Sequence, residues 1–167
     1  PDTIIVGIEP ALKVAADRFP HGHIGVMATE VTLREEKFAQ QRKRFPQAAI
    51  SLIPAPGLVE LVEQGQAKDE SVVQLLTPLL TPYRGKLDAL VLGCTHYPFL
   101  AEAISKIAHE AYPERKIEII DPAPAVARHL IEVMAEEGIP ATCKDGFNIE
   151  LHASGDPTTL ITTYDRL

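Results

Sequence analysis

The sequence has few of the residues that mark disulfide-rich or zinc-binding proteins. It contains 2 cysteines, no tryptophan and 5% aromatic residues among 167 positions. Cys94 and Cys143 lie far apart and form no Cys-x-x-Cys pair, so their spacing predicts neither a zinc ribbon nor a disulfide framework. No metal site is predicted.

Positive charge is also scarce. The chain has 16 Lys and Arg residues against 23 Asp and Glu residues, a net charge of −7, and residues 42–44 form its only run of cations. Such a charge balance is not typical of proteins that bind nucleic acids or anionic membranes. We therefore expect neither as a partner.

Long apolar runs are missing too. No uncharged stretch reaches the roughly 18 apolar residues that a membrane-spanning helix requires, and the stretch at residues 71–83 contains two prolines. The first apolar run is preceded by Asp2 and closed by Glu9, which is unlike a signal peptide. These features predict a cytoplasmic protein without a membrane span.

Strand patterns and helix patterns alternate along the chain. Five short runs rich in β-branched residues show little polar alternation, as in strands covered on both faces. Apolar spacings of three and four follow, most clearly in residues 100–111 and 126–134. The pattern predicts an α/β fold with a doubly wound parallel sheet, whose ligand sites lie where strands end. The predicted strands are residues 3–8, 23–28, 49–53, 89–93 and 116–120.

A capping box is predicted after the second of these strands. Thr32 and Glu35 have the Thr-x-x-Glu spacing that opens a helix, and the cations of residues 42–44 suit the end of that helix. Thr29 and Thr32 are both candidate helix caps, since a threonine hydroxyl accepts hydrogen bonds from amides of the first turn.

Residues 93–98, Gly-Cys-Thr-His-Tyr-Pro, carry a group of reactive side chains after a predicted strand. Free amides and a helix dipole at such a position stabilise a thiolate at Cys94 or an anionic ligand. His96 can accept or donate a proton near neutral pH, and Thr95 offers a hydroxyl and an amide to a carboxylate. A lone Cys-x-His pair, however, is more typical of a small core cysteine and a hydrogen-bonding loop histidine.

The complete six-residue string resembles the second cysteine motif of glutamate racemases, which interconvert L- and D-glutamate without a cofactor. Residues 25–32 and residues 61–65, Leu-Val-Glu-Gln-Gly, are similar to other segments of that family. The resemblance implies that Cys94 is one of two catalytic thiols and that His96 is its acid–base companion. It implies that Glu63 is either an acid–base carboxylate or a carboxylate that supports the residues in contact with the substrate. Without the resemblance, Glu63 would be interpreted as an exposed, solvated carboxylate.

The resemblance also implies the substrate contacts and the biological setting. Thr29, Thr32 and Thr95 are expected to bind the substrate, which is the small molecule glutamate. No cofactor is needed, and the enzyme is expected in the cytoplasm, where it supplies D-glutamate for peptidoglycan, cell-wall biogenesis and cell shape. A homo-oligomer is compatible with the sequence. Cys143 is interpreted as an incidental thiol.

The chain departs from the family pattern at two levels. Glu35 and Phe38 stand where the family usually has serine and tyrosine, and the family's Asp-Ser-Gly-x-Gly-Gly loop and Cys-Asn-Thr motif are absent. We therefore expect a C-terminal portion of a racemase that holds one catalytic half and lacks racemase activity by itself. Residues 8–116 would form the second domain, and residues 117–167 would complete the first.

Other functions fit parts of this pattern. A non-catalytic α/β binding or regulatory module could keep the fold and one anion site. An aspartate or hydantoin racemase of the same superfamily is a further alternative, although the Gly-Cys-Thr-His-Tyr-Pro form favours glutamate. A Cys–His hydrolase would need an oxyanion hole and a residue that orients His96, and the spacing alone supplies neither.

Overall fold

A four-stranded, all-parallel sheet lies at the centre of the computed structural model, which describes residues 3–8, 11–111, 116–139 and 150–166. The strand order is β2-β1-β3-β4, and helices pack on both faces. The predicted α/β class with a doubly wound parallel sheet is therefore confirmed. The strands are β1 (His23–Ala28), β2 (Ala49–Pro54), β3 (Ala89–Leu92) and β4 (Glu118–Ile120).

Helices connect these strands and flank the sheet. In chain order they are α1 (Leu12–Arg18), α2 (Glu30–Arg34), α3 (Glu36–Lys43), α4 (Leu58–Glu63), α5 (Glu70–Leu80), α6 (Ala101–Ala111), α7 (Ala123–Glu136) and α8 (Pro157–Arg166). Short 3₁₀ helices occupy Thr81–Tyr83 and Tyr97–Leu100. Among the described residues, no helix combines the length and the apolar character needed to cross a membrane.

The central strands are buried on both faces, which is why they lack polar alternation. Along β3, Leu90 and Leu92 belong to the core that includes residues of α4, α5 and α6, whereas Val91 belongs to the opposite core with residues of α1 and α3. These three side chains are at most 1% exposed. Each large apolar side chain buried in this way contributes about 1.5–3 kcal/mol of transfer free energy.

The chain changes direction between β1 and β3, and this point locates the binding crevice. From β1 the chain passes through α2 and α3 to β2 on one side, while β3 pairs with the other side of β1. In open α/β sheets, ligands bind at such a switch point, outside the carboxyl ends of the strands. The Gly93 amide donates a hydrogen bond of 2.7 Å to the Met27 carbonyl and holds the two ends together.

A hydrogen bond from Tyr97 links the segment after β3 to the segment after β2. The Tyr97 side chain is fully buried, and its hydroxyl donates a hydrogen bond of 3.0 Å to the carbonyl of Ala55. Burial raises the pKa of the phenol well above its ordinary value, and the negative charges of Cys94 and Glu60 raise it further. Tyr97 therefore stays protonated and acts as a structural donor.

Two local predictions are wrong. Residues 3–8 form no strand, and Ile4, Val6 and Ile8 instead line an apolar groove with α7. The predicted capping box fails because Thr29, and not Thr32, is the N-cap, while Glu35 is extended and separates α2 from α3. The extended Glu35 backbone breaks the single helix that the sequence pattern predicted.

The domain division stays a prediction. Strand β4 begins two residues beyond the expected boundary between residues 116 and 117, and it pairs in parallel with β3. Cys143, interpreted as an incidental thiol, lies outside the described residues.

Gly93 is expected to tolerate no larger residue. A Cβ at this position would lie 2.9 Å from the Ala28 Cβ and 2.9 Å from the Met27 carbonyl oxygen, both part of β1. We expect Gly93→Ala to lower the free energy of unfolding by about 1–3 kcal/mol, measured by urea denaturation. Gly155→Ala is the matched control, because a Cβ there meets nothing within 4 Å. Equal effects of the two substitutions would contradict the close approach of β3 to β1.

Tyr97 is expected to make stability sensitive to alkaline pH. Because its folded-state pKa is raised, its stabilising contribution is complete below pH ~10 and is lost as pH rises further, by up to about 1.4 kcal/mol per pH unit. Tyr97→Phe should flatten this decline in unfolding free energy, and at pH 7 it should cost about 1–2 kcal/mol because the buried Ala55 carbonyl loses its donor. The exposed Tyr164→Phe is the control, and an equally steep decline in both variants would refute the assignment.

Candidate active site

A cavity of about 670 Å³ opens at the carboxyl ends of β1 and β3. It lies at the switch point of the sheet, where the fold predicts a ligand site. The structure brings five of the six predicted site residues to its lining: Thr29, Thr32, Cys94, Thr95 and His96. The sixth, Glu63, reaches the site through His96.

The loop after β3 positions Cys94 and His96. Gly93 directly follows the last residue of β3. The chain then turns tightly, with the Tyr97 amide donating to the Cys94 carbonyl at 3.1 Å and the Phe99 amide donating to the His96 carbonyl at 3.2 Å. Because buried Tyr97 and Leu100 anchor the next turn, the polar residues before it face the cavity. Cys94 is half-buried and is a free cysteine.

The His96 imidazole lies between a thiol and a carboxylate. Its Nδ1 atom is 3.7 Å from the Cys94 Sγ, and its Nε2 atom is 3.3 Å from the Glu63 Oε1. Thr95 Oγ1 lies 3.3 Å from the same Nδ1. The side chain of His96 is 31% exposed and that of Glu63 is 59% exposed, so water screens the contact between them.

Glu63 reaches His96 because it is the last residue of α4. This helix begins after Gly57, whose left-handed φ of 83° turns the chain sharply after β2. Leu58 and Val62 are fully buried and fix the helix against the core. Glu63 follows the buried Val62 as the last residue of α4, so the packing of this helix places its exposed carboxylate next to His96.

Thr29 and Thr32 combine a capping role with a place in the cavity wall. The Thr29 hydroxyl accepts a hydrogen bond of 3.3 Å from the Thr32 amide, and the two hydroxyls lie 3.0 Å apart. The sequence leaves two roles open for these residues, helix capping and substrate contact, and the structure shows the cap at Thr29. Both residues nevertheless line the cavity, so capping and ligand contact are compatible.

Three charged residues of the cavity were not singled out as site residues from the sequence. Lys37 lies on α3, and Arg44 caps the C-terminal end of that helix on the same side. Glu35 lies in the break before α3. No motif marks the two cations. Their seven-residue spacing places them on one face of a helix wherever that helix begins, but the spacing does not show that this face lines a cavity.

The described residues offer no preformed metal site. Within the described ranges, no three His, Cys, Asp or Glu side chains come together in a group that could hold a metal ion. The arrangement can instead transfer protons, since a thiol, an imidazole and a carboxylate lie in sequence at the cavity.

Two curated proteins of similar sequence are glutamate racemases. The protein from Clostridium perfringens is 36% identical over 155 residues, which cover 92% of this chain and 58% of that protein. The protein from Clostridium kluyveri is 46% identical over 107 residues, which cover 64% of this chain and 42% of that protein. The chain thus spans about half the length of the curated relatives it matches. No protein-family model matches the chain.

A solved structure agrees with the sequence relatives. The glutamate racemase of Francisella tularensis, crystallised in complex with D-glutamate, has a TM-score of 0.66 and 26% sequence identity. The match covers 80% of this chain and 49% of that one. By sequence and by fold, the chain belongs to the glutamate racemase family.

Proposed function

We propose that this chain supplies one acid–base face of a cofactor-independent glutamate racemase that interconverts L- and D-glutamate. The observation that carries the proposal is the contact chain from Cys94 through His96 to Glu63 at the edge of the cavity. The racemase relatives and the D-glutamate complex of the Francisella protein support the choice of substrate. They do not favour the alternative of a non-catalytic binding module.

Racemisation requires two acid–base groups on opposite faces of the substrate. A base removes the α-proton from one face, the bonding electron pair stays on the substrate, and an acid returns a proton to the opposite face. One side chain cannot reach both faces. Cys94 serves one face, as thiolate when it removes the proton and as thiol when it returns one, so its role reverses with the reaction direction.

His96 and Glu63 prepare the Cys94 thiol for this exchange. When the Glu63 carboxylate accepts the Nε2 proton of His96, Nδ1 is left as the acceptor that faces the thiol. The thiol proton can then move to Nδ1, which leaves a thiolate beside an imidazolium ion. Glu63 in turn stabilises the imidazolium charge. His96 and Glu63 are thus positioning residues for Cys94.

Hydroxyl and amide groups at the strand ends hold the substrate in this proposal. Thr29 and Thr32 lie after β1, and the exposed Thr95 lies after β3. Donors from two adjacent strands can bind a carboxylate from two directions and stabilise negative charge that develops during proton transfer. In the cell, we propose that the product D-glutamate is made in the cytoplasm and used for peptidoglycan.

Proton exchange at the glutamate α-carbon tests the role of Cys94. Because the described residues place one thiol at the cavity, the chain should exchange the α-proton of one enantiomer in D₂O without racemising it. Cys94→Ser should abolish this exchange, followed by proton NMR and chiral chromatography, and Cys143→Ser should leave it unchanged. Full racemisation by the wild-type chain, or exchange that survives in Cys94→Ser, would overturn the proposal.

Alkylation of Cys94 tests the link through His96 to Glu63. Glu63→Gln should slow the reaction of Cys94 with iodoacetamide by a factor of about two to five, because an ion pair this exposed contributes under about 1 kcal/mol. Modification is located by peptide mass spectrometry. The exposed Glu102→Gln on α6 serves as the charge-matched control. A rate equal to wild type in Glu63→Gln would show that the contact with His96 does not affect the thiol.

A further inference from the structure

One face of α3 forms a polar wall of the cavity. The wall consists of four residues that line the cavity at spacings of three, one and three: Lys37, Gln40 and Gln41 of α3, and Arg44, which directly follows the helix. Residues at these spacings share one side of a helix. None of the four belongs to the motifs by which the chain resembles its family.

The charges of this wall differ in sign from those of the whole chain. The chain carries a net charge of −7, yet among the described residues that line the cavity the cations of Lys37 and Arg44 outnumber the one carboxylate, that of Glu35. A cleft lined mainly by one sign of charge concentrates ligands of the opposite sign. The wall therefore favours an anionic ligand.

The run of cations at residues 42–44 is divided between two cavities. Arg44 lines the cavity that contains Cys94, whereas Arg42 and Lys43 line a separate cavity of about 350 Å³ together with Phe45 and Ile50. All three cations suit the C-terminal end of α3, where the helix dipole favours positive charge. Arg42 and Lys43 already meet that preference, so Arg44 is available to the ligand side of the helix.

We propose that Lys37, Arg44 and Glu35 recognise the charges of a zwitterionic dicarboxylate in the cavity. The two cations match its two carboxylates, and the Glu35 carboxylate matches its ammonium group. The planar guanidinium of Arg44 can bind a carboxylate through two parallel hydrogen bonds, while Lys37 acts as a point charge. The identity of the ligand rests on the proposed function, and the selection for charge rests on the wall itself.

Charge-selective alkylation of Cys94 tests this wall without a catalytic assay. Iodoacetate and iodoacetamide alkylate thiols by the same displacement and differ by one negative charge, so the ratio of their rates cancels the intrinsic reactivity of the thiol. The rates are measured at Cys94 by peptide mass spectrometry in a Cys143→Ser chain. Circular dichroism confirms that each variant is folded.

We expect Lys37→Gln and Arg44→Gln each to lower the iodoacetate-to-iodoacetamide ratio by about two- to fivefold, because each removes a cation from the cavity. Glu35→Gln should raise the ratio. Lys43→Gln, which removes a cation of the other cavity, should leave it unchanged. In wild type, 1 M salt should reduce the ratio, since the screening length falls to about 3 Å.

The outcomes separate this inference from the proposed function. In one outcome the ratio is unchanged in Lys37→Gln and Arg44→Gln, and in another it falls equally in Lys43→Gln. Either result would contradict charge recognition by the wall and would leave the proposed roles of Cys94 and His96 standing. A ratio that responds as expected supports the wall, even if the α-proton exchange of glutamate is absent, which would overturn only the proposed function. If neither reagent modifies Cys94 in the folded chain, no ligand reaches the thiol and both proposals are wrong.

Discussion

The parallel pairing of β1 with β3 is the interaction on which the rest of the structure depends. It joins residues Ile24–Met27 to residues Ala89–Leu92 and continues in the hydrogen bond from the Gly93 amide to the Met27 carbonyl. Both strands are buried on both faces, so the two apolar cores are built on this pair. Because the strands are parallel and adjacent, Thr29 and Cys94 emerge side by side at one edge of the sheet.

The sequence pattern predicts the interior of the fold better than its margins. Strands at residues 23–28, 49–53, 89–93 and 116–120 are found with small changes at their ends, because each is an apolar run that packs against helices on both sides. Residues 3–8 have a similar composition but pair with no strand among the described residues, and Ile5 is 84% exposed. The amino-acid composition shows that a segment is apolar. To form a strand, the segment also needs a neighbouring strand with which its backbone can form hydrogen bonds.

The candidate site was predictable only in part. Cys94 and His96 could be grouped from their spacing, and the family resemblance added Glu63, which lies more than thirty residues away in sequence. Nothing in the sequence indicates that α4 ends where its last carboxylate meets an imidazole ring, since that position follows from the left-handed turn at Gly57 and the burial of Val62. Lys37 and Arg44 were missed because their spacing shows that they share one side of a helix but not that this side lines the cavity, which follows from the packing of α3 in the fold.

The bond between Tyr97 and Ala55 has a consequence for how the site comes into being during folding. It spans 42 residues of chain, and the bond from the His23 amide to the Asp88 carboxylate spans 65. Contacts this distant in sequence form after local helices, since long loops must first be closed. During synthesis, the thiol loop cannot be ordered until β3 and the turn beyond it have left the ribosome and docked against β1, so the residues that carry the chemistry are placed only after the β1–β3 pair has formed.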